Sequence, residues 1–144
     1  MEFELIKNIL ALSASNVWND AKKEWEFFGI EIKHGSSCLC GKYPISECCY
    51  LRNTQNRNEV VVGNCCIKRF MGDNTKTKMF NAISKEKINA ALIEYAFKKG
   101  IINDWENKFA NDLWRKRTLT EKQKYFFDKI KKRIINEVLK NGNN

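Results

Sequence analysis

The 144-residue chain is 43% apolar and 12% aromatic, with a formal net charge of +9, a composition that excludes a largely disordered polymer. Its longest apolar runs fall far short of the ~20 residues that span a bilayer, and seven glycines and one proline leave no long flexible linker. The length suits one domain, or a small domain with an appendage. The acidic start Met1-Glu2-Phe3-Glu4 lacks the basic stretch of a signal peptide, so an intracellular, cytoplasmic protein is expected.

Residues 1–33 read as N-terminal helices. Phe3 to Ala14 forms one, with Phe3, Ile6, Ile9 and Leu10 on one side. Ser15 or Asn16 caps a second, in which Val17, Trp18, Ala21, Trp25 and Phe28 recur at helical spacing before Gly29 ends it. Ile30-Glu31-Ile32-Lys33 alternates as a short strand does. Residues 34–72 hold all six cysteines. There Ser46 to Arg52 and Glu59 to Val62 suit two strands, and the polar run Asn53 to Asn58 between them suits a hairpin turn. A short helix follows from about Cys65 to Phe70, and Gly72-Asp73-Asn74 closes the module.

Residues 73–144 read as helices packed with the rest as one unit. Ser84 caps a helix carrying Ile88, Ala91, Leu92 and Tyr95, and Gly100 stops it. Asn103 or Asp104 starts the next, with Trp105, Phe109 and Leu113 on its core side. Thr120-Glu121-Lys122-Gln123 has the form of a capping box, opening a last helix with Phe127, Ile130, Ile134 and Val138 on one stripe. The expected architecture is α+β: a central zinc knuckle and β-hairpin of treble-clef or ribbon type, flanked by helices.

Six cysteines within Cys38–Cys66 of an intracellular chain point to one metal site rather than to disulfides. Cys38-Leu39-Cys40-Gly41 is a tight knuckle that turns two sulfurs and several amides toward one cation. A hairpin and a helix start can bring two more, completing the tetrahedron Zn²⁺ prefers. Of Cys48 and Cys49, which point to opposite faces of a strand, only one should reach the metal. Spacing does not choose between them, nor between Cys65 and Cys66. The lone histidine, His34, reads as a surface residue. One structural Zn²⁺ is the expected cofactor.

The runs Cys38-Leu39-Cys40-Gly41-Lys42-Tyr43-Pro44-Ile45, Glu47-Cys48-Cys49-Tyr50-Leu51-Arg52-Asn53 and Val62-Gly63-Asn64-Cys65-Cys66-Ile67-Lys68-Arg69-Phe70 resemble a family of small zinc-finger proteins of bacteria and their phages. Trp18 to Trp25 resembles that family's lead-in, and Trp105-Glu106, Trp114 to Arg117 and Leu119 to Gln123 resemble its tail. The resemblance implies a metal set of Cys38, Cys40, Cys49 and Cys66, with Cys48 and Cys65 departing from the family pattern. A phage origin would place the protein inside the host cell. The resemblance implies no activity.

Charge is concentrated late in the chain. Residues 1–72 carry 9 Lys and Arg against 8 Asp and Glu, whereas residues 73–144 carry 17 against 9. Such a half attracts polyanions, of which nucleic acid is the commonest in a cell; the plainer reading is a solubilising surface. Lys68, Arg69, Trp114, Arg115, Lys116, Arg117, Lys131, Lys132 and Arg133 are the candidate contacts, cations for phosphates and Trp114 for a base. Trp105, Phe109, Leu113 and Phe127 read as core. With no Gly-rich phosphate loop, nucleophile–base pair or HExxH motif, no enzyme, membrane partner or small-molecule substrate is expected. The expected function is zinc-stabilised nucleic-acid binding, the alternative a phage or mobile-element protein–protein adaptor or inhibitor.

Overall fold

A computed structural model describes residues 2–71 and 75–139, without the side chains of residues 2 and 69–71. Among the described residues the protein is α+β, with seven α-helices and one antiparallel sheet of order β1-β2-β3. It divides into two units, Met1–Asp73 and Asn74–Asn144. The expected closing turn at 72–74 lies outside the described residues.

In the first unit, α1 (Glu2–Leu12) buries Leu5 and Ile9, which stand one turn apart. Phe3, expected on the apolar side, is 74% exposed. The carbonyl of Leu12, left without a helical partner at the C-terminus, accepts hydrogen bonds from Asn56 Nδ2 at 2.9 Å and Asn58 Nδ2 at 2.8 Å. The hairpin turn thereby fastens to the first helix.

The second expected helix is cut to one turn. α2 covers only Trp18–Ala21, a 3-10 turn follows at Lys22–Glu24, and β1 runs from Trp25 to Ser36. Trp25 and Phe28 are therefore strand residues. Their helical spacing is overridden by local alternation: Trp25 and Phe27 are buried while Glu26 between them is exposed, and aromatic residues suit a half-buried pleated surface. A bulge between Phe27 and Gly29 shifts the register, so that Ile30 also turns inward. The buried Glu24 carboxylate sets the bend, accepting from the amides of Ala14 at 2.7 Å and Ser15 at 2.9 Å and from Asn53 Nδ2 at 2.8 Å.

β2 (Ile45–Asn53) and β3 (Glu59–Gly63) form the expected hairpin, and α3 (Asn64–Met71) follows directly. Asn53 organises the turn. Its Oδ1 accepts from the amides of Gln55 and Asn56, and its own amide donates to the Asn58 carbonyl. The buried face combines Trp25, Phe27, Ile30, Cys49, Leu51, Val60 and Val62.

The second unit holds α4 (Thr75–Ser84), α5 (Ala90–Lys98), α6 (Asp104–Leu113) and α7 (Glu121–Val138). α4 corrects the sequence expectation: Ser84 ends this helix instead of capping the next. Its Met79, Phe80, Ala82 and Ile83 are buried; reading Gly72-Asp73-Asn74 as a closing turn and Ser84 as a helix start concealed it. Asn89 caps α5, its side chain accepting from the Leu92 amide at 3.1 Å. Gly100, at φ +76°, ends α5 in the left-handed conformation that glycine adopts without strain. Both expected helix starts, at Asn103 and Thr120, form reciprocal capping boxes with Glu106 and Gln123. Leu92, Ile93, Ile134 and Val138 are fully buried, each contributing about 1.5–3 kcal/mol relative to exposure.

Candidate metal centre and basic groove

Cys38, Cys40 and Cys66 are buried thiols whose sulfurs lie within 4.8 Å of one another. The knuckle is held by short-range hydrogen bonds: the Cys38 amide donates to the Lys42 carbonyl at 3.0 Å, and the Gly41 amide to the Cys38 carbonyl at 2.9 Å. Gly41 sits at φ +98°, a conformation that any other residue would adopt with strain. The knuckle docks on β3, where the Leu39 amide donates to the Val61 carbonyl at 3.0 Å and the Gly63 amide to Cys38 Sγ at 3.1 Å. Asn8 of α1 donates to the Leu39 carbonyl at 2.7 Å. Cys66 arrives from the first turn of α3.

These thiols influence one another strongly. Burial pushes the Cys38 thiol up, against the Cys40 and Gly63 amides that donate toward it. Burial also raises Cys40, but the Lys42 amide and the Cys38 and Cys66 thiols outweigh it and bring the group below its ordinary value. Cys66 is pushed well up, by burial first and then by the Cys40 and Cys38 sulfurs. Three crowded thiols aided by amide donors can hold a soft metal ion, which would take thiolates in place of protons. A tetrahedral zinc site brings sulfurs to ~3.8 Å from one another, from Zn–S bonds of ~2.3 Å. The spacing of these three is within about 1 Å of that geometry.

Cys49, expected as the fourth ligand, is not part of this group of three. It occupies a fully buried position on β2, paired with Ile30 and Val62. Cys48, equally buried, pairs with Glu31 and with Gly63, the residue whose amide meets Cys38. Cys65 is exposed on α3. His34 is exposed on β1.

The expected nucleic-acid contacts separate into distinct settings. Lys68 is exposed on α3, and the Arg69 side chain lies outside the described ones. In the second unit, Trp114, Lys116, Arg117 and Lys131 line one groove of about 450 Å³, together with Lys124 and Phe127. Lys87, Ile88 and Leu119 also reach it, and Asp128 is its carboxylate, 3.7 Å from Lys131 Nζ. Arg115 lies over the Trp114 ring at 4.9 Å, within range of a cation–π contact. Lys132 is exposed. Arg133 instead grips Glu106, at 2.7 and 2.8 Å, and reaches the Ile101 carbonyl at 3.4 Å.

Three aromatic residues expected in the core, Trp105, Phe109 and Phe127, are not buried, and Phe127 lines the groove. Trp105 is 58% exposed and stacks on the half-buried Phe109 at 5.0 Å, and Phe126 meets Trp105 edge-on at 6.5 Å. Beside them Tyr125 is 55% exposed. Glu106 and Ala110 take the inward positions of α6 with Leu113, so the buried side of that helix is rotated from the Trp105/Phe109 line. No helix of the described residues is long and apolar enough to cross a membrane. No protein-family model, curated protein or solved structure matches the chain.

Proposed function

We propose that this is an intracellular, non-catalytic nucleic-acid-binding protein, with its first unit stabilised by one structural Zn²⁺ and its second unit supplying the cationic surface. The observation that carries the reading is the groove of the second unit, where Lys87, Lys116, Arg117, Lys124 and Lys131 stand against the single carboxylate of Asp128. Cations gathered around an aromatic floor suit phosphates and bases together. Zinc is the metal favoured by three thiols within 4.8 Å, given the clustering of every cysteine in one module. The likeness to the bacterial and phage zinc-finger family belongs to the same reading. The test is fluorescence anisotropy of the zinc-loaded protein with labelled single-stranded DNA, double-stranded DNA and RNA across a salt series. Affinity that falls steeply with salt is expected; no binding to any probe at low salt overturns the proposal.

A second reading, a protein–protein adaptor or inhibitor, is favoured by the exposed aromatic group of Trp105, Tyr125 and Phe126. Exposed aromatic patches mark interaction surfaces. A defined partner that survives nuclease treatment and is lost on Trp105→Ala supports it.

A further inference from the structure

Trp114 lines two depressions at once. One is the 450 Å³ cationic groove, and the other is a neighbouring groove of about 310 Å³ bordered by Thr75, Lys78, Asn89 and Glu94. The two therefore share this indole as a common wall, in the turn that links α6 to α7. The Arg115 guanidinium at 4.9 Å lies over the ring, and the half-buried Phe127 contributes a second aromatic surface to the larger groove.

We infer that these paired grooves are a track for single-stranded nucleic acid, with an unstacked base against Trp114 and successive phosphates on Lys116, Arg117, Lys124 and Lys131. The inference rests on the nucleic-acid reading above and deepens it. The larger groove falls within the ~300–1,000 Å³ typical of sites that enclose small groups, enough for one base with its sugar. A duplex keeps its bases paired and stacked, so it offers phosphates to such a groove but nothing to its aromatic wall. A single strand offers both, and stacking on an aromatic ring tolerates any base. The charge is complementary: in the larger groove Asp128 alone opposes five cations and is already turned toward Lys131, and in the smaller groove Lys78 accompanies Glu94, which is itself paired with Lys98.

The experiment measures anisotropy with labelled oligo(dT), oligo(rU) and a duplex of equal length, on the full zinc-loaded chain. Single strands are expected to bind more tightly than the duplex, with a log–log salt slope near −3 if four phosphates are neutralised. Trp114→Ala should weaken single-strand binding about tenfold, and Trp114→Tyr, which keeps a ring and guards against a folding defect, should restore most of it. R117E/K124E should reduce both the affinity and the salt slope, whereas K85E/K108E, with the same charge change outside the groove, should leave the slope unchanged. If the wild-type protein binds no nucleic acid, the proposed function fails and this inference with it. If it binds but prefers duplex, responds equally to both double charge reversals, or depends on Trp105 instead of Trp114, the track is wrong and the broader reading stands.

Discussion

The Arg133 guanidinium closes on the Glu106 carboxylate from one helix to the next, Nη2 to Oε2 at 2.7 Å and Nη1 to Oε1 at 2.8 Å. Glu106 is simultaneously the N3 residue of the α6 capping box, its Oε1 accepting from the Asn103 amide at 3.0 Å. One carboxylate thus caps α6 and ties it to α7. This removes Arg133 from the cations most available to a ligand. Because Arg133 is 44% exposed at its side chain, the pair is worth about 1 kcal/mol after solvent screening. Denaturant titration of R133M, E106Q and the double variant should show that much coupling. Additive effects would mean the two side chains do not cooperate.

Acid should weaken the protein through two carboxylates. The Asn53 amide, against the effect of burial and aided by the Ala14 and Ser15 amides, holds the Glu24 carboxyl below its usual range. Arg133 does the same for Glu106 against burial. A carboxyl depressed by folding contributes stability above its unfolded pKa of ~4.3 and loses it as pH falls through the folded value. The denaturation midpoint should therefore drop from about pH 5 downward. E24Q should be less stable at neutral pH and have a shallower acid slope; an unchanged slope would dissociate Glu24 from the acid response.

Metal removal should cost the first unit its fold. Structural zinc in small modules supplies an apparent ~10–16 kcal/mol, comparable to the whole ~5–15 kcal/mol net stability of ordinary domains. Native mass spectrometry should find one zinc per chain, lost on C40S or C66S together with the cooperative melting of the sheet. Full zinc occupancy and an unchanged Tm in C40S would exclude Cys40 as a ligand.

The fourth ligand can be assigned by cobalt substitution. If the family resemblance holds, C49S weakens the sulfur-to-cobalt charge-transfer band while C48S and C65S leave it intact. The converse result, loss in C48S alone, would place the ligand on the face that Gly63 shares with β2.

How far the chain could be read depended on whether local and tertiary demands agree. The hairpin, α3, the Thr120 capping box, the helix start at Asn103 and the Gly100 stop were legible because each rests on short-range chemistry. The Trp18–Phe28 stretch misled because its aromatics satisfy a helical period while the pairing of Trp25 with Asn53 and Phe27 with Leu51 demands a strand. α4 was not legible because Asp73-Asn74 reads equally well as a closing turn and as a helix start. The knuckle cysteines and Cys66 were visible as a cluster, but the register that separates Cys48 from Cys49 is a property of the assembled sheet. The groove at Trp114 was foreshadowed only as one indole and scattered cations, since its walls come from three separate stretches of chain.

The docking of the knuckle on β3 bears on solubility. β3 closes the sheet on one side, and strands in that position recruit other chains through their unpaired amides and carbonyls. Here Leu39 and Cys38 occupy the Val61 carbonyl and the Gly63 amide. A knuckle that loosens when its thiols are alkylated or stripped of metal would uncover that rim. The apo protein should consequently self-associate before it fully unfolds, and its loss from solution should scale with protein concentration.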